Sequence, residues 1–196
     1  MQNGDLLHKV RKFAIKNSKD DDLHGFPHVE RVYEICVELG EKLNANLLVL
    51  KIAALLHDIG RIQEEIPSEK RNHAEISAEI ASNFLEENGF NLSLSDLENI
   101  LHSIRAHSFS NNVVPETLEA KILSDADKLD ALGAIGLYRT IGFTIQKGGN
   151  LNKVIDHLEN KILKLKDLMH LNITKRIAEE RQQIVLDFYN KINEEK

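Results

Sequence analysis

The sequence predicts an all-α fold, a compact helical bundle finished by two long C-terminal helices. Three observations predict it. No stretch of useful length alternates apolar and polar residues at the two-residue period of a half-buried strand. Apolar residues recur instead three and four apart, the spacing of one helix face. The three prolines, Pro27, Pro67 and Pro115, fall between helix-like segments, where proline is tolerated.

The elements follow in order. A first helix is expected over about residues 5–17, then a loop at 18–27 rich in Asp and Gly. A second helix runs from near His28 to Leu43, and a third from Asn46 to about Ile59, stopped by Gly60. A polar loop holds Pro67. The fourth helix covers about 72–88, with Gly89 as its C-cap. The fifth begins at Ser95, where Ser95 and Glu98 form a capping-box pattern, and reaches about His107. A sixth follows Pro115, passes through Asp125 and breaks among Gly133, Gly136 and Gly142. Gly148-Gly149 is a breaker. Two amphipathic helices, about 151–169 and 174–193, end the chain. Their stripes, Leu151-Val154-Leu158-Ile162-Leu165 and Ile173-Ile177-Ile184-Phe188-Ile192, suit packing or a homodimer interface.

A chain of 196 residues suits one domain, with a core at about 23–139 and a helical extension at about 150–193. Hydrophobic residues make up 42%, enough for a core. The net charge of -6 disfavours a long nucleic acid as main partner, because phosphate contacts need clustered Lys and Arg. A small anion still fits a locally positive pocket. The one cysteine, Cys36, lies in the apolar run Val32-Tyr33-Glu34-Ile35-Cys36-Val37 and reads as a buried small hydrophobe. The first ten residues have no apolar signal core, and no window approaches the ~18 apolar residues of a membrane span. A cytoplasmic protein without a membrane partner is expected.

The informative feature is where His and Asp fall on the apolar stripes. His28 lines up with Val32, Ile35 and Leu39, and His57 with Leu50, Ala53 and Ala54. His73 lines up with Ile76, Ile80 and Phe84, His107 with Ile100 and Ile104, and Asp125 with Ile122, Leu129 and Leu132. A buried carboxylate is costly without a partner, and for Asp125 a salt bridge, a helix-terminus contact and a metal are all open. Several such groups on the core side of a small domain suggest a shared site. His57-Asp58 adds a second signal. Adjacent helical residues point about 100° apart, so they share a ligand only where the helix ends, and Gly60 marks such an end.

These residues resemble the HD-domain phosphohydrolase superfamily. The resemblance lies in His28-Val29-Glu30-Arg31-Val32, then Ala53-Ala54-Leu55-Leu56-His57-Asp58-Ile59-Gly60-Arg61, then Ser124-Asp125-Ala126-Asp127-Lys128-Leu129-Asp130-Ala131-Leu132-Gly133. It extends through Ile104–Ser110 and Gly136–Arg139, covers about 23–139, and points to small stand-alone HD hydrolases. It implies a metal held by His28, His57, Asp58 and Asp125, with Asp58 also catalytic. Such a nitrogen and oxygen set suits Mn, Fe, Co, Ni, Zn or Mg. The implied reaction is hydrolysis of a phosphoester or phosphoanhydride, most often in a nucleotide, by a metal-activated water. His73 and His107 are candidates for phosphate contact or leaving-group protonation. They also stand in the order of the histidines that bind a second metal in binuclear relatives. Arg61, Lys128 and Arg139 are candidates for anion contacts, or for salt bridges such as those to Asp127 or Asp130, and His24 for the pocket mouth. Two departures stand out. Arg61 replaces an acidic residue that some members carry three positions after the His-Asp aspartate, which leaves the general base open. The Gly-Tyr-Pro motif of cyclic dinucleotide phosphodiesterases is absent after Asp58. A non-catalytic nucleotide-binding regulatory module and a di-iron oxygenase are the competing readings.

Overall fold

The computed structural model describes residues 3–66 and 68–196; Met1, Gln2 and the Pro67 expected in a polar loop lie outside the described residues. The chain divides into two compact units, Met1–Ser124 and Asp125–Lys196. Among the described residues there is no strand, only an isolated bridge between Lys19 and Gly25.

In the first unit, α1 (Asn3–Lys16), α2 (Phe26–Leu43), α5 (His73–Glu87) and α6 (Leu94–His107) surround α3 (Leu47–Leu56). The sequence of α3, Leu-Leu-Val-Leu-Lys-Ile-Ala-Ala-Leu-Leu, is apolar on nearly every side, which is the pattern of a helix enclosed by others. Its start is fixed by Asn46, whose side chain accepts from the N–H of Leu48 and Val49. The Asn46 N–H in turn donates to buried Glu119 at 2.7 Å. Before α2, Asp21 Oδ1 accepts the N–H groups of Leu23, His24 and Gly25, a turn that delivers the chain into the helix with Pro27 in its first turn. Cys36 is buried, as its setting predicts.

The α5 start matches the expected position, with Asn72 as N-cap. The fifth helix starts earlier than the capping-box reading. Ser93, not Ser95, is the N-cap, because Ser93 and Asp96 offer the same spacing two residues upstream. Asp96 also accepts from Asn46 Nδ2, tying that end to the start of α3. A single-turn helix, α4 (Arg61–Glu64), occupies part of what reads as loop in the sequence.

Helix α7 (Leu118–Asp130) crosses the boundary between the units, and the expected break follows it at Ala131–Leu132. Gly136 is required there: a Cβ on it would stand 2.1 Å from the Ala131 carbonyl carbon. Gly136 and Gly142 otherwise sit inside α8 (Gly133–Gln146), which runs unbroken.

The expected 151–169 helix divides into α9 (Leu151–Asn160) and a 3-10 stretch, Ile162–Leu168. After Leu158, the apolar residues Ile162, Leu165 and Leu168 are spaced by three, which eclipses them on a 3-10 helix. Ile162 and Leu165 are buried, whereas Leu151 is exposed. In α10 (Asn172–Glu195) the buried line is Thr174, Ala178, Gln182 and Val185, which corrects the expected stripe. Ile173, Ile177, Phe188 and Ile192 flank that line half-buried, and Ile184 is exposed. Thr174 Oγ1 donates to Asp125 Oδ2 and Gln182 Nε2 to the Leu163 carbonyl, so two of the four buried positions are polar contacts that an apolar period does not reveal. No helix among the described residues is long and apolar enough to cross a membrane.

Candidate metal centre

Helix ends bring five residues of the first unit together. His28 lies in the first turn of α2, His57 is the C-cap of α3, Asp58 follows it, His73 opens α5 and His107 closes α6. All five are buried. The turn after α3 is held by Gly60, whose N–H donates to Ser77 Oγ at 2.9 Å. A Cβ at Gly60 would stand 2.6 Å from the His73 carbonyl oxygen and 2.7 Å from Ser77 N. Glycine therefore lets the Asp58 turn press against the first turn of α5.

Asp58 lies between two histidine pairs. Its Oδ2 is 3.4 Å from His28 Nε2 and 3.6 Å from His57 Nε2. Its Oδ1 is 3.4 Å from both His73 Nε2 and His107 Nε2. The first two histidines approach within 3.4 Å through Nε2, and the second two within 3.3 Å. Two groups able to hold a metal ion result, His28-His57-Asp58 and Asp58-His73-His107, with Asp58 common to both.

The ring protons identify what the second group wants. His107 Nδ1 donates to the Ile104 carbonyl at 2.6 Å, and His73 Nδ1 donates to Glu64 Oε1 at 3.2 Å. In neutral rings both Nε2 atoms then carry lone pairs, and they face one another. Asp58 Oδ1 beside them is buried and takes no hydrogen bond. Three acceptors without a donor fit a cation, and the neutral imidazole and carboxylate types suit a divalent one. His57 repeats the pattern in the first group, its Nδ1 donating to the Ala54 carbonyl at 2.7 Å.

Electrostatics agree. Burial alone would raise the Asp58 carboxyl, but the charge of Arg61, then the neighbouring His57 ring, and contacts from His107 and His28 hold it well below the usual carboxylate range. Arg61 Nε is 2.5 Å from Asp58 Oδ2. Burial, then the Arg61 charge, lowers the His73 pKa, which keeps that ring neutral. Hydrogen bonding from His73 pulls Glu64 down to about 2. Sequence reading assigned no role to Glu64, since one turn of helix is too short to show a period.

The remaining candidates have defined surroundings. His24 is half-buried, its ring centroid 6.5 Å from that of His28. In the second unit, Asp125 Oδ2 accepts from Leu171 N and Thr174 Oγ1, and His170 N donates to both of its oxygens. That is the helix-terminus contact open from the sequence. Lys128 is buried, and burial lowers its pKa against the raising charges of Asp127 and Asp125. Arg139 Nη1 donates to Asp130 Oδ2 at 2.7 Å, a buried salt bridge.

The HD domain family model matches residues 25–132. The chain belongs to the HD domain family. It is 30% identical over 181 residues to YpgQ of Bacillus subtilis, covering 88% of this chain and 84% of that protein. The crystal structure of YpgQ in complex with ADP superposes with a TM-score of 0.77 at 26% identity, covering 100% of this chain and 97% of that one. A Bacillus thuringiensis structure described as an HD-superfamily hydrolase has a TM-score of 0.74 at 28% identity, covering 99% of this chain and 98% of that one. The fold is thus that of the HD domain family, and the His-Asp cluster offers two groups of donors that could hold a metal ion.

Proposed function

We propose that this protein is a metal-dependent phosphohydrolase acting on a nucleotide or another small phosphoester or phosphoanhydride. The observation that carries the reading is Asp58 set between two histidine pairs, with the lone pairs of His73 and His107 converging on its unbonded Oδ1. His28, His57 and Asp58 hold the first cation, with Asp125 as fourth ligand on the family pattern. Among the described residues Asp125 Oδ1 accepts one hydrogen bond, which leaves it a lone pair. Asp58, His73 and His107 hold a second cation; their donor pattern favours this over a proton-donating role, because neither Nε2 carries a proton to give.

A bound divalent ion lowers the pKa of a water and polarises the phosphoryl group. This chain's own residues orient the donors, exclude bulk water through the burial of all five, and bring positive charge. Arg61, with a fifth of its side chain exposed, is the cation best placed to turn from Asp58 to a phosphate. Lys128 and His24 are further substrate contacts in this reading. Arg139, engaged with Asp130, acts as an anion contact only if that salt bridge opens. The ADP complex of YpgQ supports a nucleotide as ligand.

The test is release of phosphate and pyrophosphate from a nucleotide panel by metal-stripped protein, with Mn(II), Mg(II), Co(II) or Ni(II) restored singly. Metal-dependent release from one nucleotide class is expected. Silence across the panel with metal demonstrably bound would refute the nucleotide hydrolase reading and leave a nucleotide-binding module or a different phosphoester.

A further inference from the structure

We infer that Glu64 is a positioning residue that fixes the proton of the His73 ring on Nδ1, so that Nε2 presents a lone pair to Asp58 and His107. The inference deepens the two-cation reading proposed above and rests on it for its consequence, though not for its geometry.

The argument begins with where each histidine sits on its helix. The last carbonyls of a helix and the first N–H groups lack partners within it. His57 and His107 stand at C-terminal ends, and each ring uses the carbonyl three residues back, Ala54 at 2.7 Å and Ile104 at 2.6 Å. Those two tautomers are set by backbone. His73 opens α5, at an N-terminal end, where its own turn offers donors and no free carbonyl. An acceptor for its Nδ1 must come from another element.

Glu64 supplies it. One oxygen, Oε1, accepts from His73 Nδ1 at 3.2 Å and from His73 N at 3.0 Å, so the ring and its own backbone are tied to the same atom. Glu64 ends α4, and its N–H donates to the Gly60 carbonyl at 3.0 Å. Gly60 itself is pressed on the His73 carbonyl with no room for a Cβ. The Asp58 turn, α4 and the start of α5 therefore form one linked contact. The pair differs from an ordinary surface ion pair, because the His73 side chain is only 6% exposed although that of Glu64 is 36% exposed.

Without an acceptor at Nδ1, the ring proton can move to Nε2. That nitrogen then becomes a donor and leaves the cation group. Loss of a carboxylate behind a ligating histidine typically weakens metal binding about 10–100-fold. The partial exposure of Glu64 lets water replace it in part, so the expected loss is about tenfold.

The experiment compares metal-free wild type, Glu64→Ala and Glu64→Gln, with histidine labelled with nitrogen-15, by NMR of ring tautomers. Mn(II) titration by calorimetry follows. Gln keeps an oxygen that accepts an N–H, so wild type and Glu64→Gln should hold His73 as the Nδ1–H tautomer, and Glu64→Ala should not. One of two Mn(II) classes should weaken about tenfold in Glu64→Ala and recover in Glu64→Gln. An unchanged His73 tautomer in Glu64→Ala overturns the inference. So does a simultaneous disturbance of His28, His57, His73 and His107, which would make Glu64 a general support of the fold. A tautomer change in a protein whose wild type takes a single Mn(II) upholds the positioning role and defeats the two-cation reading.

Discussion

Replacing Arg61 with Gln should tighten cation binding at Asp58. Arg61 Nε lies 2.5 Å from Asp58 Oδ2, the same oxygen that faces His28 and His57 at 3.4 and 3.6 Å. A cation using that oxygen must displace the guanidinium. A hydrogen bond to a charged group contributes about 1.5–3 kcal/mol, and each 1.4 kcal/mol is about tenfold, so the variant should bind about tenfold to a hundredfold tighter. The assay is calorimetric titration of Mn(II) into metal-stripped wild type and Arg61→Gln. Stability of the metal-free forms provides a second measure. Burial raises the Asp58 carboxyl, and Arg61, ahead of the histidine contacts, brings it well below its ordinary value. A carboxyl so depressed contributes stability above an unfolded pKa of about 3.9, and the contribution is lost as pH falls through the folded value. Gln at 61 shrinks the depression. Metal-free Arg61→Gln should therefore unfold more readily than wild type at pH 7, with the difference narrowing on acidification. Mn(II) binding that is equal or weaker in the variant would refute the competition.

Three further outcomes follow from the same contacts. Asp58→Ala removes the carboxylate common to both histidine pairs, so equilibrium dialysis should show both cation classes lost while helical circular dichroism persists; full retention of either class would exclude a shared ligand. Gly60→Ala drives a Cβ against the His73 carbonyl and Ser77 N, backbone atoms with no rotamer to escape into, and should cost about 1–3 kcal/mol in urea unfolding. Thr174→Val leaves Asp125 Oδ2 without the 2.5 Å hydrogen bond from a fully buried hydroxyl and should destabilise by about 1.5–3 kcal/mol, with Thr174→Ser recovering most of it.

The helical fold and the residues of the first cluster are legible in the sequence because each signal is local or periodic. His28, His57, His73 and His107 interrupt apolar stripes, and the stripe alone says that each points inward. Gly60 correctly marks the end after His57-Asp58, which allows adjacent residues to face one site. What escapes the sequence depends on tertiary packing or on elements too short for a period. Ser93 and Ser95 both offer a cap, and the choice falls to Ser93, whose helix carries Asp96 to Asn46. The line Thr174-Ala178-Gln182-Val185 is buried in place of its more apolar neighbours, and Thr174 and Gln182 on it hydrogen-bond to Asp125 and to the Leu163 carbonyl, contacts that no apolar period reveals. Arg61 reads only as a candidate anion contact or salt-bridge partner, and the single turn of α4, too short to show a period, sets it on Asp58 and Glu64 on His73.

That turn also gives Arg61 a task at the position where the family resemblance leads one to expect an acid. A cation at 61 neutralises Asp58 in the metal-free protein, where an acid would set a second negative charge beside a buried carboxylate whose Oδ1 already lacks a hydrogen bond. The negative charge moves one helical turn on, to Glu64, where it faces a ring nitrogen instead. Arg61 and Glu64 thus divide two tasks, compensation of the aspartate and orientation of His73, between the ends of a four-residue helix. The division predicts separable phenotypes: substitutions at 61 should act on cation binding in the sense of competition, and those at 64 in the sense of lost support.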